Sequence, residues 1–165
     1  MANNKKLNKE LRDQARGLGL CDQWYKEWKK DESKQDLIDK YLRGIDFCIQ
    51  HDYPDLEFVK ENFEDDLLRK NGIIVDSEAN ETNKRKVVLL GNSTGNVIYT
   101  DFFTGSVYVR HSSNVNIETS GTSVVFVHAY ENCRVKVMAA EQSKVFVYHY
   151  SGDIQTEGNV VVREK

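Results

Sequence analysis

The sequence has no run of 18 apolar residues, which excludes a membrane-spanning helix. Proline is nearly missing, Pro54 being the only one, and glycine stops at ten, so collagen-like and proline-rich linker character are excluded. Three cysteines, Cys21, Cys48 and Cys133, are few and odd in number. The first ten residues are polar and basic with no apolar core behind them, unlike a signal peptide. The cysteines therefore read as reduced cytosolic thiols, not a disulfide framework. Basic clusters are scarce too. None exceeds Lys84-Arg85-Lys86, and 23 Lys+Arg against 26 Asp+Glu give a net charge of -3. The electrostatic footprint of a nucleic-acid-binding protein is missing, and a nucleic-acid partner is not expected.

What remains is a chain with enough apolar residues to fold, 39 % against 30 % charged, and a sharp internal asymmetry. Residues 1–80 carry 14 basic and 18 acidic side chains, whereas 81–165 carry 9 and 8. Charge density halves near residue 80, and the hydrophobic period changes at the same place.

Up to about residue 71 the spacing is helical. Leu7, Leu11 and Ala15 recur every four residues until Gly17 and Gly19. Cys21, Trp24 and Trp28 share one face of a second segment. Ser33 caps a third, with Asp36 in the capping-box position and a stripe of Leu37, Tyr41, Ile45 and Cys48. Pro54 suits the first position of a fourth, lined by Leu56, Val59, Phe63 and Leu67 and ended by Asn71-Gly72. From Asp31 to Asp66 there are 12 acidic and 4 basic residues. Asp36, Asp39, Glu61 and Asp65 mark this acidic surface. It reads as the solvated face of short helices, and alternatively as a decoy that engages a basic, nucleic-acid-handling enzyme.

Beyond Gly72 the period becomes two. Ile73-Ile74-Val75 and Val87–Leu90 are short β candidates, and an internal repeat follows. Each unit has a small residue, any residue, then two apolar residues separated by one position. Copies begin at Gly95, Gly105, Ser113, Ser123, Cys133, Ser143, Gly152 and Gly158. Their first apolar positions fall at 97, 107, 115, 125, 135, 145, 154 and 160. Spacing near ten residues with a column of small residues favours a β-solenoid, in which inward valines stack from coil to coil, over a Greek-key sandwich. The residue between the two inward ones points outward. These alternate apolar and polar, which assigns them to opposite sheets. One sheet shows Asn116, Lys136 and Gln155. The other shows Tyr108, Phe126, Phe146 and Val161, and two residues on, Arg110, His128, Tyr148 and Arg163. Tyr130 and Tyr150 extend this patch. An outward aromatic ladder must be covered or used. The helical half, a second copy, or another protein or glycan would cover it.

The expected fold is therefore α+β: a bundle of about four short helices over 1–72, a connecting segment over 73–86 and a β-solenoid of about eight strands over 87–165. The helices would close one end of the solenoid and Gly152–Lys165 the other. Sequence offers little catalysis. Cys48 and His51 are three apart on a helix and could pair a thiolate with a base, but Cys48 falls on the apolar stripe. His51-Asp52 has the form of a helical metal dyad without further histidines in that half. His128, His149 and Cys133 do not converge, Asp153 and Glu157 stand alone, and Gly91–Gly95 lacks the lysine of a phosphate loop. No catalytic residue, metal or cofactor is expected.

The wording of Gly19-Leu20-Cys21-Asp22-Gln23-Trp24, Trp28, Tyr41-Leu42-Arg43-Gly44-Ile45-Asp46-Phe47-Cys48 and Asp52-Tyr53-Pro54, continuing into Val107-Tyr108-Val109-Arg110-His111, resembles uncharacterised proteins encoded by Bacteroides-type gut bacteria, their phages and mobile elements. That resemblance implies a cytoplasmic or virion setting and a role in phage–host conflict or virion assembly, with no activity attached. The repeat half is similar to short β-solenoid modules, which serve as scaffolds and assembly surfaces. The function expected is non-catalytic: a structural or protein-interaction module that self-assembles or docks through the aromatic sheet face.

Overall fold

A computed structural model of the chain describes residues 2–165. It divides into two compact units, Met1–Leu67 and Leu68–Lys165. The architecture is α+β, with helices first and a parallel β-solenoid after them.

The helical unit has more breaks than the periodicity shows. α1 (Ala2–Gly17) and α2 (Asp22–Glu27) match the first two segments. The third splits at Gly44 into α3 (Lys34–Arg43) and α4 (Ile45–Gln50). The backbone leaves the helical conformation at Gly44 (φ -104°, ψ 29°), and a Cβ there would lie 2.8 Å from the Trp24 ring, so the close approach of the indole favours glycine. The fourth splits into α5 (Leu56–Asn62) and α6 (Asp65–Lys70). Ser33 and Asp36 form the expected reciprocal capping box. Pro54 is not the first helical residue, because Asp55 intervenes as the N-cap and its carboxylate accepts from the Phe58 N–H. Leu7, Leu11, Ala15, Leu20, Leu37, Cys48 and Tyr53 form the core of this unit. The Trp28 indole N–H donates to Asn8 at 2.6 Å, and the buried Tyr53 hydroxyl to the Leu11 carbonyl.

The solenoid has two parallel sheets. The six-strand sheet runs β1 (Ile73–Val75), β3 (Lys86–Leu90), β5 (Thr104–Val109), β7 (Val124–Ala129), β9 (Lys144–His149), β11 (Val160–Glu164). The five-strand sheet runs β2 (Glu78–Thr82), β4 (Thr94–Tyr99), β6 (Asn114–Thr119), β8 (Arg134–Ala139), β10 (Asp153–Gly158). Residues 73–86, read from the sequence as a connector, thus hold β1 and β2, the first coil. Among the described residues eleven strands are present where the repeat suggests about eight.

Paired residues are 20 apart through the middle of the stack, as in Val87↔Val107 and Val115↔Val135. At the ends they close up, to 15 for Ile73↔Val88, 16 for Ala79↔Gly95 and 15 for Val145↔Val160. Short coils thus bracket the regular ones, as expected of terminal repeats that differ from the interior.

Valines and isoleucines fill the interior almost without exposure, each contributing about 1.5–3 kcal/mol by burial. Glycine stands inward at two positions whose partners in the next coil are valines. Gly95 pairs with Val115, and Gly105 with Val125. At Gly105 the missing side chain is replaced by the buried Tyr99 ring, whose hydroxyl donates to the Lys84 carbonyl at 2.6 Å. Another inward row runs Ile74, Leu89, Val109, Ala129 and ends in His149 and Glu164. The core thus finishes in a polar pair. Glu164 lies 2.8 Å from His149 Nδ1, and the Gly152 carbonyl lies 2.8 Å from Nε2. Two acceptors on one imidazole, Glu164 above all, raise its pKa.

The corners explain the small-residue column. Ser93, Ser113, Ser123 and Ser143 are fully buried. The Ser93, Ser123 and Ser143 hydroxyls donate to carbonyls three residues earlier. Beside them, Asp101, His111, Glu131 and Glu141 adopt left-handed φ of 55–57°. That conformation costs about 1–2 kcal/mol per non-glycine residue. The offset comes from the stack. Glu131 accepts from the His111 N–H, His111 Nδ1 from the Gly91 N–H and Glu141 from the Gly121 N–H, each 20 residues back. A corner side chain thereby satisfies the corner backbone of the preceding coil.

Candidate functional site: an aromatic and cationic sheet face

The outer face of the six-strand sheet gathers most of the residues singled out in sequence. Strand register sorts them into rows. One row is Ser106, Phe126, Phe146, Val161 and the next is Tyr108, His128, Tyr148, Arg163. Tyr108 therefore does not belong with Phe126, as the repeat suggested, but with His128. The cause is Gly105: glycine holds the first inward position there, so Val107 pairs with Val127 and the motif is displaced by two residues. Arg110 likewise moves out of the His128 row to lie 20 residues before Tyr130. Its guanidinium is buried and bonds Glu131 Oε1 at 2.6 Å. Burial raises the Glu131 pKa, but the Arg110 and His111 donors outweigh it and leave the carboxyl below its usual range.

The rings stack from coil to coil. Tyr108–His128 centroids are 4.4 Å apart at 8°, His128–Tyr148 5.0 Å at 20°, Phe126–Phe146 5.5 Å at 12° and Tyr130–Tyr150 4.7 Å at 18°. These distances follow the strand spacing. Near-parallel rings at this separation turn their faces to one another and their edges to the outside. Each stacked pair contributes about 0.5–1.5 kcal/mol beyond its area.

Cations occupy the C-terminal end of the face. Lys144 Nζ lies 5.0 Å from the Phe146 centroid and Arg163 Cζ 5.4 Å from it. Arg163 is 5.9 Å and Lys165 5.6 Å from the Tyr148 centroid. The outer rows contain no Asp or Glu on any of the strands. On the opposite sheet, Asn116, Lys136 and Gln155 stand in one outward row as expected.

Two residues near the face carry no sequence expectation. Phe102 is 86 % exposed and Phe103 48 %, at the corner between β4 and β5. Phe103 stands 20 residues before Ser123, so the interruption of the small column was the readable signal.

The acidic residues are dispersed. Asp36 is held in the capping box, and the Ser33 side chain lowers its pKa. Asp39 accepts from the Gln35 amide at 2.8 Å, while Glu61 and Asp65 are exposed on α5 and α6. Asp36 and Asp39 also line a groove of about 290 Å³ with Glu27, Lys29, Glu32, Lys40 and Arg43, so both charge signs meet there. Arg43 and Lys40 lie over the Trp24 and Trp28 rings. Cys48 is buried in the helical core, and the His51 ring packs on Phe47 at 4.6 Å. Burial pushes the Cys133 thiol up to about 11, which suppresses its thiolate. Among the described residues no three His, Cys, Asp or Glu side chains are grouped as metal ligands. No described helix is long and apolar enough to cross a membrane.

Comparison with protein-family models, curated proteins and solved structures gives no match for this chain.

Proposed function

We propose that the protein is a non-catalytic interaction module that self-assembles through the outer face of its six-strand sheet. The observation that carries this reading is the continuous patch of ring edges and cations from Phe126 to Lys165. Stacking explains why the rings lie over one another. It does not explain why outward positions are aromatic at all, since the five-strand sheet meets the same stacking demand with Asn96, Asn116 and Lys136. An aromatic face with arginine and without Asp or Glu in its outer rows has the composition of an interaction surface. The setting we infer is phage or mobile-element associated, supported by the resemblance of residues 19–54. The decoy reading has less support, because the chain carries a cationic face of its own as a counterpart to its acidic helices.

Light scattering tests the assignment. The wild-type chain should form a stable oligomer, and Phe146→Asp should disperse it, with unchanged far-ultraviolet circular dichroism showing that the fold persists. Phe146 is half-buried between Phe126 and two cations, so a carboxylate there removes a hot-spot contact of about 2 kcal/mol or more. A wild-type monomer indifferent to the change would sink the proposal.

A further inference from the structure

Resting on that reading, the charge pattern points to the partner surface: we infer that the cationic, aromatic face of one copy docks on the acidic helical unit of a second copy, in a head-to-tail contact. The commoner arrangement, the same face meeting itself about a two-fold axis, is opposed by composition. Lys144, Arg163 and Lys165 have no carboxylate partner among the described residues. No outer row of the sheet contains Asp or Glu, so no rotation of the face against itself offers one. Self-pairing would bury cations against cations, which is costly in an interface.

The complementary charge is on the other unit. The stretch Asp31–Asp66 holds 12 acidic residues, and Asp39, Glu57 and Glu61 are exposed, the last two one turn apart on α5. The ring edges act in the same sense. The edge of an aromatic quadrupole is positive, and edges are what the stacked ladder turns outward. The same geometry disfavours single-stranded nucleic acid. The faces of Phe146 and Tyr148 are taken by neighbouring rings and by Arg163, so bases have few open faces on which to stack. A contact between unlike surfaces either closes into a ring or propagates as a filament.

Reciprocal charge reversal tests this in the full-length chain. One variant carries Lys144→Glu, Arg163→Glu and Lys165→Glu; the other carries Asp39→Lys, Glu57→Lys and Glu61→Lys. All six positions are exposed or half-buried, and circular dichroism verifies that both variants fold. Sedimentation velocity should show salt-sensitive association of the wild type, weakened at least about tenfold in each variant alone. An equimolar mixture of the two should associate again, because the reversed face then meets reversed helices. A mixture that stays monomeric overturns the head-to-tail contact. So does an oligomer that survives the helix reversals yet is dispersed by Phe146→Asp, a result that leaves the interaction face standing with a different partner surface. A wild type monomeric up to its solubility limit overturns both readings.

Discussion

Replacing Gly105 with alanine should destabilise the solenoid, and removing the Tyr99 ring should make the same position accept valine. A Cβ at Gly105 would fall inside contact distance of the Tyr99 ring and hydroxyl. Overpacking of this kind costs about 1–3 kcal/mol. Tyr99 is fully buried, so Tyr99→Ala should cost about 3–5 kcal/mol, including the hydroxyl bond to the Lys84 carbonyl. If the ring and the glycine are one packing solution, the two changes cannot add. The double variant Tyr99→Ala/Gly105→Val restores the valine found at Val125 and Val145, whose burial returns about 1.5–3 kcal/mol. It should be more stable than Tyr99→Ala alone, a coupling well above the few tenths expected of independent sites. The assay is urea unfolding followed by far-ultraviolet circular dichroism. Trp24 and Trp28, the only tryptophans, sit in the helical unit and report that unit separately by fluorescence. With an m-value of about 1–3 kcal/mol/M, a 2 kcal/mol change moves the midpoint by about 1 M. A wild-type midpoint for Gly105→Ala, or a double variant no better than Tyr99→Ala, would refute the reasoning.

Three other perturbations probe the rest of the frame. The pKa of His149 is raised in the folded state, so its link to Glu164 stabilises the last coil fully below the unfolded value of 6.5 and is lost as pH rises through the raised folded value. Amide exchange in β11, corrected for intrinsic pH dependence, should accelerate across that window, and His149→Gln should flatten the response; protection that instead grows with pH contradicts the assignment. Ser33→Ala removes the hydroxyl that accepts from the Asp36 N–H, the side-chain half of the capping box at the N-cap, and should lower helical-unit stability by about 1 kcal/mol in tryptophan-monitored urea unfolding, an unchanged midpoint counting against it. Ser143→Ala takes a buried hydroxyl away from Thr119 and the Ala140 carbonyl, and should cost the solenoid about 1–3 kcal/mol in the same titration followed by circular dichroism.

The sequence made the local rules legible and hid the compensations. The Ser33 cap, the inward valines, the serine column and the Phe126–Phe146 row all follow from periods of two, four and twenty residues, which are properties of single strands and helices. Gly105 is misplaced by the repeat because its missing side chain is filled by Tyr99 from another strand, and Gly95 because the Ala79 backbone occupies the place of a Cβ, close approaches that no periodicity expresses. The same blindness set Tyr108 beside Phe126 and Arg110 beside His128. Helix breaks at Gly44 and before Asp65 were missed for the related reason that the stripe of apolar residues continues through them. The corner bonds from Glu131 and Glu141 to N–H groups twenty residues earlier looked in sequence like ordinary surface charge. For the site, the ladder residues were visible, but their edge-on presentation and the cations over Phe146 and Tyr148 depend on register and rotamer.

The two shortened coils also bear on how such a molecule could change in length. Because a 15-residue turn closes each end of the six-strand sheet and every turn between takes 20, length is quantised. Inserting or deleting one 20-residue block between β5 and β9 would leave both terminal coils intact. It would alter the rod by a single strand spacing of about 4.8 Å and add or remove one rung from each outward row. The reach of the face and the number of rings it presents would then vary together in fixed steps, as graduations on a ruler do.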